Sequence, residues 1–207
     1  MARIYIARTT GIGSFERHVV LKLITPERAN DATAVSMFLD EARLSLFLQH
    51  ANIVQVFDIS RTPDNAYFLV MEFVDGCDLK ALNAFHNATQ TRDVALTLHI
   101  IVEACKGLHY AHTRRGPDGR RLHIVHRDVT LSNLMVGFDG AVKLIDFGIA
   151  KATNRSTQTQ VGFIKGKVGY MAPEQIRGYA VDARTDVFAL GIVLYELTTM
   201  RRAFRED

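Results

Sequence analysis

Two acidic residues and one amide in the second half of the chain carry the oxygen atoms that metal and phosphate chemistry requires. Asp128 closes a His-Arg-Asp run, and Asn133 follows it five residues later. Asp146 opens an Asp-Phe-Gly run 18 residues after Asp128. Carboxylate and amide oxygens are hard ligands that suit Mg²⁺, which also keeps water and phosphate oxygens in its shell. Each run alone is a weak signal, because an isolated Asp-Phe-Gly occurs often by chance.

A cation and two further acidic residues stand at ordered distances from these runs. Lys22 ends a Val-Leu-Lys segment, Glu41 follows it on a predicted helix, and Glu174 closes an Ala-Pro-Glu run. Each has an ordinary structural explanation, since Lys22 taken alone is most simply a surface lysine whose stem packs on its strand. Several such explanations would have to coincide in order and spacing. The combined pattern therefore favours a shared chemical function for these residues over separate structural roles.

The elements that must position these residues begin with strands. Alternating β-branched and aromatic residues predict strands over residues 3–7 and 18–24, and a strand pair over residues 53–59 and 67–73. A helix is predicted to open at Pro26, with one apolar face at three- and four-residue spacing. That face consists of Val35, Phe38, Leu39, Ala42 and Leu46.

Beyond residue 76 the pattern becomes mainly helical. Residues 91–112 predict a long amphipathic helix, and residues 186–199 predict a helix that is apolar nearly all round and therefore buried on most sides. Short strands are predicted at residues 124–126, 134–136 and 141–145. Strands first and helices second indicate an α+β chain of two lobes, joined near residues 73–76, with a cleft between them.

The order and spacing of these motifs resemble the eukaryotic-type protein kinase family, and its bacterial serine/threonine members in particular. The resemblance runs from residue 1 to about residue 204. It implies a two-lobe protein-kinase-like fold, with an N-lobe over residues 1–74 and a C-lobe over residues 75–207. It also implies transfer of the γ-phosphoryl group of ATP to Ser/Thr hydroxyls of proteins, with ATP and Mg²⁺ as cofactors.

The resemblance assigns the chemical roles. Lys22 is expected to hold the α- and β-phosphates and to pair with Glu41. Asp146 is expected to bind Mg²⁺ and Asn133 a second Mg²⁺. Asp128 is expected to orient the substrate hydroxyl and accept its proton. His126 is packed structure in the family, and Asp186 is expected to accept backbone N–H bonds from the catalytic loop.

The resemblance also places an adenine pocket. Its apolar walls are expected from Ile4 and Val20 above and Met135 below. Met71 matches the gatekeeper position. The remaining contacts are expected from the backbones of Glu72 and Val74, and from the carboxylate of Asp78 to the ribose hydroxyls. Apart from the flanking motifs, Ile4, Val20 and Met135 read equally well as ordinary core residues.

Gly11 and Gly13 look like the start of the loop that covers the phosphates, but the distance argues against it. Only 11 residues separate Gly11 from Lys22, too few for the strand, turn and strand that such a loop requires. We therefore expect the family's glycine loop and first strand to be absent before Arg3, and several C-terminal helices to be absent after residue 207, together with the arginine partner of Glu174. Such a truncated chain is expected to bind ATP weakly and turn over poorly.

The substrate class depends on two departures from the family pattern. Thr130 stands where serine/threonine kinases carry a lysine, and Lys167 stands where they carry a threonine. We hypothesise an exchange in which Lys167 supplies the catalytic cation and Thr130 the hydroxyl; the alternative is a solvated Lys167. Arg127 before the catalytic Asp suggests regulation by a phosphorylated activation segment, with Ser156, Thr157 and Thr159 as candidates.

Composition excludes several other classes. The 25 Lys and Arg residues against 22 Asp and Glu residues leave a charge of +3 in 207 residues, which argues against a nucleic-acid binder. Cys77 and Cys105 build neither a disulfide framework nor a zinc site. No signal peptide or long apolar run occurs. We expect a cytoplasmic protein with protein substrates, no nucleic-acid partner and no membrane segment in this chain; its oligomeric state stays open.

Two alternatives to a protein kinase remain at this point. The first is a catalytically silent interaction module, in which the fold persists and turnover is lost. The second is a small-molecule phosphotransferase of similar fold, which is disfavoured because residues 166–174 resemble the segment that positions peptides in protein kinases.

Overall fold

The computed structural model describes residues 2–10, 16–147 and 168–204, and its contacts divide the chain into two compact units. The N-terminal unit comprises Met1–His50 and Val54–Val74. The C-terminal unit comprises Asp75–Asp207 and the short segment Ala51–Ile53, which lies in sequence between the two parts of the N-terminal unit.

Four antiparallel strands form the sheet of the N-terminal unit. They are β1 (Ala2–Thr10), β2 (Glu16–Ile24), β3 (Val56–Arg61) and β4 (Tyr67–Glu72), in the spatial order β1-β2-β4-β3. The prediction placed the third strand at residues 53–59, but Ile53 instead forms a parallel bridge with Leu144 of the C-terminal unit. Its apolar side chain is buried in that unit, so apolarity alone did not show which sheet it joins.

The helical segment after β2 is broken in two. α1 (Pro26–Ala29) ends within one turn, and α2 (Ala32–Leu46) starts afresh because the Asp31 carboxylate accepts hydrogen bonds from the N–H groups of Thr33 and Ala34. The buried side of α2 consists of Ala34, Phe38 and Ala42. Of the predicted apolar face, Leu46 is exposed, so the face was correct at its centre and wrong at its end.

In the described part of the C-terminal unit there are four α-helices and a small sheet. The helices are α3 (Leu79–Thr89), α4 (Val94–Thr113), α5 (Pro173–Ile176) and α6 (Ala183–Thr199). Aspartates at positions 78, 93 and 182 cap α3, α4 and α6 by accepting backbone N–H groups of the first turn. No helix in the described part of the chain is long and apolar enough to cross a bilayer.

The small sheet consists of β5 (Gly76–Asp78), β6 (Leu134–Gly137) and β7 (Val142–Leu144), all antiparallel. A 3₁₀ turn, Leu131–Asn133, leads directly into β6. Gly76 lies so close to β6 that a Cβ atom there would stand 2.0 Å from the carbonyl oxygen of Val136. The sheet thus accepts no side chain at that position.

Residues 124–126 do not form the predicted strand. The chain bends on both sides of this segment, at His123 (φ 49°) and Arg127 (φ 64°). The N–H of His126 donates to the carboxylate of Asp186 at 2.8 Å rather than to a neighbouring strand. The apolar run Ile124-Val125 is buried, which explains why its composition resembled a strand.

The helix predicted at residues 186–199 is α6, which starts three residues earlier. Eight of its residues are buried, among them the polar Thr185, Asp186 and Glu196. Val187 and Tyr195 are nevertheless 64% and 45% exposed among the described residues. α6 is therefore exposed on more of its surface than its apolar sequence predicted.

Candidate active site

Lys22 and Glu41 form an ion pair within the N-terminal unit. Nζ of Lys22 donates to Oε1 of Glu41 at 2.7 Å, and the two side chains are only 12% and 16% exposed. β2 supplies the lysine and α2 the glutamate. Because both side chains are largely sheltered from water, the attraction between their charges is only weakly screened. The pairing of Lys22 with Glu41 was expected from the family resemblance.

Three of the predicted adenine-pocket residues share one face of the N-terminal sheet with Lys22. The register pairs Ile4 with Lys22 on β1 and β2, and Val20 with Met71 on β2 and β4. Since opposed residues and residues two apart in a strand point to the same side of a sheet, Ile4, Val20, Lys22 and Met71 lie on one face. Ile4 is 58% exposed there, whereas Met71 is buried.

Glu72 and Gln55 bind each other twice. The Glu72 N–H donates to the carbonyl oxygen of Gln55 at 2.8 Å, and the Gln55 N–H donates to Oε2 of Glu72 at 3.0 Å. The amide proton of Glu72 is thus used within the N-terminal unit. Val74 follows β4 as the last residue of the N-terminal unit and is partly buried.

Asp128 and Asn133 lie side by side in the C-terminal unit. Nδ2 of Asn133 donates to the backbone carbonyl of Asp128 at 2.7 Å and to its Oδ2 at 3.0 Å. The 3₁₀ turn between them places both side chains on the same side of the loop, and Asn133 is 5% exposed. The two bonds fix which end of the Asn133 amide faces Asp128, so its oxygen is turned away from that carboxylate.

Asp146 is joined to the same loop through its neighbour in the chain. The N–H of Ile145 donates to the carbonyl oxygen of Asn133 at 3.0 Å, which ties the end of β7 to the loop. Asp146 itself adopts a left-handed conformation with φ 56°, uncommon for a residue with a side chain. Asp128 and Asn133 are therefore bonded directly to each other, and Asp146 is held next to them through the backbone bond of Ile145.

His126 lies beneath these residues and is completely buried. Its Nε2 lies 3.1 Å from the carbonyl oxygen of Ile145, its Nδ1 accepts from the Asp128 N–H at 3.3 Å, and its ring packs 4.4 Å from that of Phe147. Burial lowers the pKa of His126, although the charges of Asp186 and Asp128 oppose the shift. A neutral ring that donates through Nε2 satisfies both neighbours, which confirms the structural role expected for His126.

Asp186 accepts three hydrogen bonds at the start of α6. Its carboxylate receives the N–H groups of His126 and Arg127, each at 2.8 Å, and lies 2.7 Å from Nε2 of His112. Asp186 is fully buried. The two backbone bonds confirm the role expected for Asp186, whereas the contact with His112 was missed. His112 stands 74 residues before Asp186, and no local pattern connects them.

Asp78 and Met135 are opposite each other on β5 and β6. Both were expected to contact the nucleotide. Oδ1 of Asp78 accepts the N–H of Ala81 at 2.7 Å and so caps α3. This second role could not be separated from ribose binding by sequence alone, because Asp is favoured at both positions.

The loop around Asp128 holds two residues for which the sequence suggested unusual roles. Thr130 is 4% exposed, and its Oγ1 has no hydrogen-bond partner in the part of the chain that the structure describes. The carbonyl oxygen of Arg127 accepts from Nε2 of Gln175 at 3.0 Å. Lys167, the proposed exchange partner of Thr130, lies outside the described residues, as do Ser156, Thr157, Thr159, Gly11 and Gly13.

Glu174 has a partner within the C-terminal unit. The hydroxyl of Thr185 donates to Oε1 of Glu174 at 2.6 Å, and this bond is the main reason that the pKa of Glu174 is lowered. The family resemblance had implied only an arginine partner beyond residue 207. Thr185 is 1% exposed, so the bond anchors the Ala-Pro-Glu segment to the first turn of α6.

Comparison with known proteins decides the family. The family described as "Protein kinase domain" matches residues 10–207. The chain belongs to this family. The kinase domain contains the Lys22–Glu41 pair in its N-terminal unit and Asp128, Asn133 and Asp146 in its C-terminal unit, which agrees with the mixed α+β architecture described above.

The kinase domain resembles several curated bacterial proteins over its full length. It is 42% identical over 208 residues to "Tyrosine-protein kinase MasK" of Myxococcus xanthus, covering 100% of this chain and 32% of that protein. It is 33% identical over 204 residues to "Serine/threonine-protein kinase PrkC" of Bacillus subtilis, covering 99% and 29%. It is 34% identical over 211 residues to "Serine/threonine-protein kinase PknB" of Mycobacterium leprae, covering 100% and 32%.

The chain thus spans about a third of the length of these relatives. The names of the relatives also differ in the hydroxyl that they act on: tyrosine for one and serine or threonine for the others.

Proposed function

We propose that this kinase domain transfers the γ-phosphoryl group of ATP to Ser and Thr hydroxyls of proteins, with Mg²⁺ as cofactor. The observation that carries the proposal is the hydrogen-bonded unit of Asp128, Asn133 and the residue before Asp146. It gathers a carboxylate that can accept a proton and two side chains with hard oxygen atoms. We also infer a cytoplasmic location, where ATP is available and Cys77 and Cys105 stay reduced.

The donor atoms in the C-terminal unit fit Mg²⁺. The amide oxygen of Asn133 is directed away from Asp128 by the two bonds that its Nδ2 makes. Within the described ranges there is no group of three or more His, Cys, Asp or Glu able to hold a metal ion alone. A site with one carboxylate and one amide suits an ion that takes its other ligands from phosphate and water.

The chain's own residues then have separate tasks. Bound Mg²⁺–ATP supplies the phosphoryl group and neutralises charge on it. Lys22, held by Glu41, offers one ammonium group to the phosphates, because the ion pair fixes the direction of its long side chain. Asp128 accepts the proton of the substrate hydroxyl through its carboxylate, which Asn133 holds in place. His126 supports the backbone of Asp128 from below.

Serine and threonine are the proposed acceptors because the loop after Asp128, Val129-Thr130-Leu131-Ser132, lacks the alanine and arginine of the tyrosine-specific pattern. The serine/threonine relatives are 33% to 36% identical to the chain. The relative that is named a tyrosine kinase is 42% identical. Tyrosine is therefore the second candidate acceptor, and only the phosphorylated product separates the two.

The experiment is phosphoamino acid analysis of a protein substrate after incubation with γ-labelled ATP and Mg²⁺. We expect labelled phosphoserine and phosphothreonine, and no label when the Mg²⁺ is chelated. Label on tyrosine alone would assign the second acceptor. An absence of transfer together with measurable Mg²⁺–ATP binding would instead support a silent interaction module.

A further inference from the structure

A cavity of about 460 Å³ lies in the C-terminal unit, beside the loop that carries Asp128. Its walls come from α3, from the 3₁₀ turn Leu131–Asn133, and from the residues that follow α6. The residues that matter here are Lys80, Asn83, Thr130, Glu196, Arg201 and Arg202. None of these six was assigned a role in holding ATP or Mg²⁺.

Two residues that line the cavity, Asn83 and Thr130, each carry a buried polar atom without a partner in the described parts of the chain. These atoms are Oδ1 of Asn83 and Oγ1 of Thr130. Leaving such atoms unsatisfied away from water is unfavourable, so native proteins seldom do it without a reason. A ligand that carries both a donor and an acceptor would satisfy them, because Asn83 can accept an N–H and the Thr130 hydroxyl can donate.

The charge around the cavity is mainly positive. Lys80, Arg201 and Arg202 are exposed side chains, and none of them forms an ion pair within the described residues. Because no described side chain is paired with them, these three cations can bind an anionic ligand.

Glu196 is the single carboxylate among the residues described as lining the cavity, and it is 5% exposed. Its Oε2 accepts the hydroxyl of Tyr170 at 2.5 Å, and its Oε1 accepts the N–H of Ala203 at 3.4 Å. Burial raises the pKa of Tyr170 above its ordinary value, so the phenol stays a donor to Glu196. The carboxylate is therefore largely engaged by hydrogen bonds, whereas the three cations have no ion-pair partner among the residues that the structure describes.

We propose that this cavity binds an acidic side chain of the peptide substrate. The inference rests on the proposed function, because it assumes that a peptide is positioned beside Asp128. Thr130 is two residues from Asp128, so a side chain in the cavity belongs to a residue close in sequence to the phosphorylated one. Arginine guanidinium groups bind carboxylates through paired hydrogen bonds, and the peptide backbone supplies the N–H that Asn83 can accept.

The test compares peptides of one sequence that carry Glu, Gln or Arg at each position flanking a fixed serine. The steady-state KM and kcat are measured with the unaltered chain and with the double variant Arg201→Ala, Arg202→Ala. Arg120→Ala is the matched control, since Arg120 is an exposed arginine of the same unit outside the residues that line the cavity.

We expect the unaltered chain to prefer Glu at one or two positions, with a KM about tenfold or more below that of the Gln peptide. The double variant should lose this preference without a change in kcat for the Gln peptide, and Arg120→Ala should keep it. Lys80→Glu should shift the preference toward Arg. Equal KM values for Glu and Gln peptides, or a preference for Arg in the unaltered chain, would overturn the proposal.

A binding measurement separates this proposal from the proposed function. Fluorescence anisotropy of labelled Glu, Gln and Arg peptides is recorded with the same variants and without ATP. Tighter binding of the Glu peptide that is lost in the double variant supports the cavity even where no peptide is phosphorylated. Phosphorylation of the Gln peptide without any selective binding of the Glu peptide supports the kinase function and rejects the cavity.

Discussion

At the scale of single residues, the Lys22–Glu41 pair makes the sharpest prediction for the N-terminal unit. Lys22→Met should lower kcat/KM for ATP by about 10²-fold or more, because the charge that it removes acts on the phosphates. Glu41→Gln should have a smaller effect, since the ammonium group remains and only its orientation is lost. Both are measured by steady-state phosphorylation kinetics.

The matched control is the ion pair between Arg8 and Glu16 of the same sheet. It has a similar length, 2.9 Å, but its side chains are 63% and 52% exposed. Exposed pairs contribute little, so Arg8→Ala should leave the kinetics unchanged. Equal losses in Arg8→Ala and Lys22→Met would mean that general damage to the sheet, and not the cation, explains the effect.

Asp186 should matter for stability as well as for activity. Asp186→Ala leaves the N–H groups of His126 and Arg127 buried without an acceptor. Removing one partner of such a buried charged network costs about 3–5 kcal/mol, which corresponds to a fall in Tm of roughly 10 °C for a chain of this size. Asp182→Ala on the same helix removes only an exposed cap and should cost about 1 kcal/mol. A Tm that is unchanged in Asp186→Ala would contradict the structural role.

His126 predicts how stability depends on pH. The pKa of His126 is lowered in the folded chain, so the unfolded chain binds the proton more readily. The stabilisation is therefore complete above the unfolded pKa of about 6.5 and is lost as the pH falls through the folded pKa. Thermal melts of the unaltered chain should show this loss below about pH 6.5, and His126→Phe should be less stable but flatter over that window. Parallel curves for the two proteins would exclude His126 as the cause.

Residue types and spacing predicted those site residues whose neighbours are close in sequence. Asp128 and Asn133 are five residues apart, and the structure joins them directly. Two long-range contacts, that of Lys22 with Glu41 and that of Asp186 with the catalytic loop, were expected only from the family resemblance. His112 meets Asp186 across 74 residues, and Asn83 borders the same cavity as Thr130 only because α3 packs against the 3₁₀ turn.

At the scale of elements, two helix glycines should respond in opposite ways to the same change. A Cβ at Gly107 in α4 would stand 2.8 Å from Cδ1 of Leu144 and 2.9 Å from the carbonyl oxygen of Asn52. A Cβ at Gly191 in α6 would meet nothing within 4 Å. Gly191→Ala should therefore raise the free energy of unfolding by roughly 0.5–1 kcal/mol, the ordinary gain in a helix.

Gly107→Ala should lower the free energy of unfolding instead, because backbone of the Asn52 segment must move to admit the methyl group. Asn52 also donates to Glu103 of α4 and to the carbonyl oxygen of Val142, so the movement would loosen two contacts at once. Denaturant titrations of the two variants decide the point. A gain in stability for Gly107→Ala equal to that for Gly191→Ala would show that α4 is not closely packed there.

The positions of helices and strands were predictable where the local sequence pattern and the tertiary packing favour the same element. This is so for β2 and α4, whose predicted bounds differ from the observed ones by no more than three residues. Pattern and packing disagree at residues 124–126, where an apolar run is held by a distant carboxylate instead of a strand. They also disagree at Ile53, which was predicted to belong to a strand of the N-terminal sheet but bridges to Leu144 within the C-terminal unit. In both cases the apolar residues predicted burial, but they did not predict which residues each segment contacts.

At the scale of the whole molecule, the order of the motifs along the chain indicated the protein family more clearly than any single helix or strand did. Lys22 and Glu41 belong to one unit, and Asp128, Asn133 and Asp146 to the other. That order predicted the family that the comparisons identify. Substrate preference could not be predicted in this way, because it depends on which side chains line a cavity. Those side chains come from α3 and from the residues after α6, which are far apart in sequence.

The central claim is that Asp128 accepts the proton of the substrate hydroxyl in a Mg²⁺–ATP-dependent transfer. The most direct measurement is the single-turnover rate of phosphoryl transfer at saturating Mg²⁺–ATP, with Asp128→Asn compared with the unaltered chain. Asp118→Asn in an exposed loop is the control, and ATP affinity is measured in parallel. We predict a rate lowered by about 10²-fold or more in Asp128→Asn, with ATP affinity retained and with Asp118→Asn unaffected. A transfer rate in Asp128→Asn equal to that of the unaltered chain would contradict it.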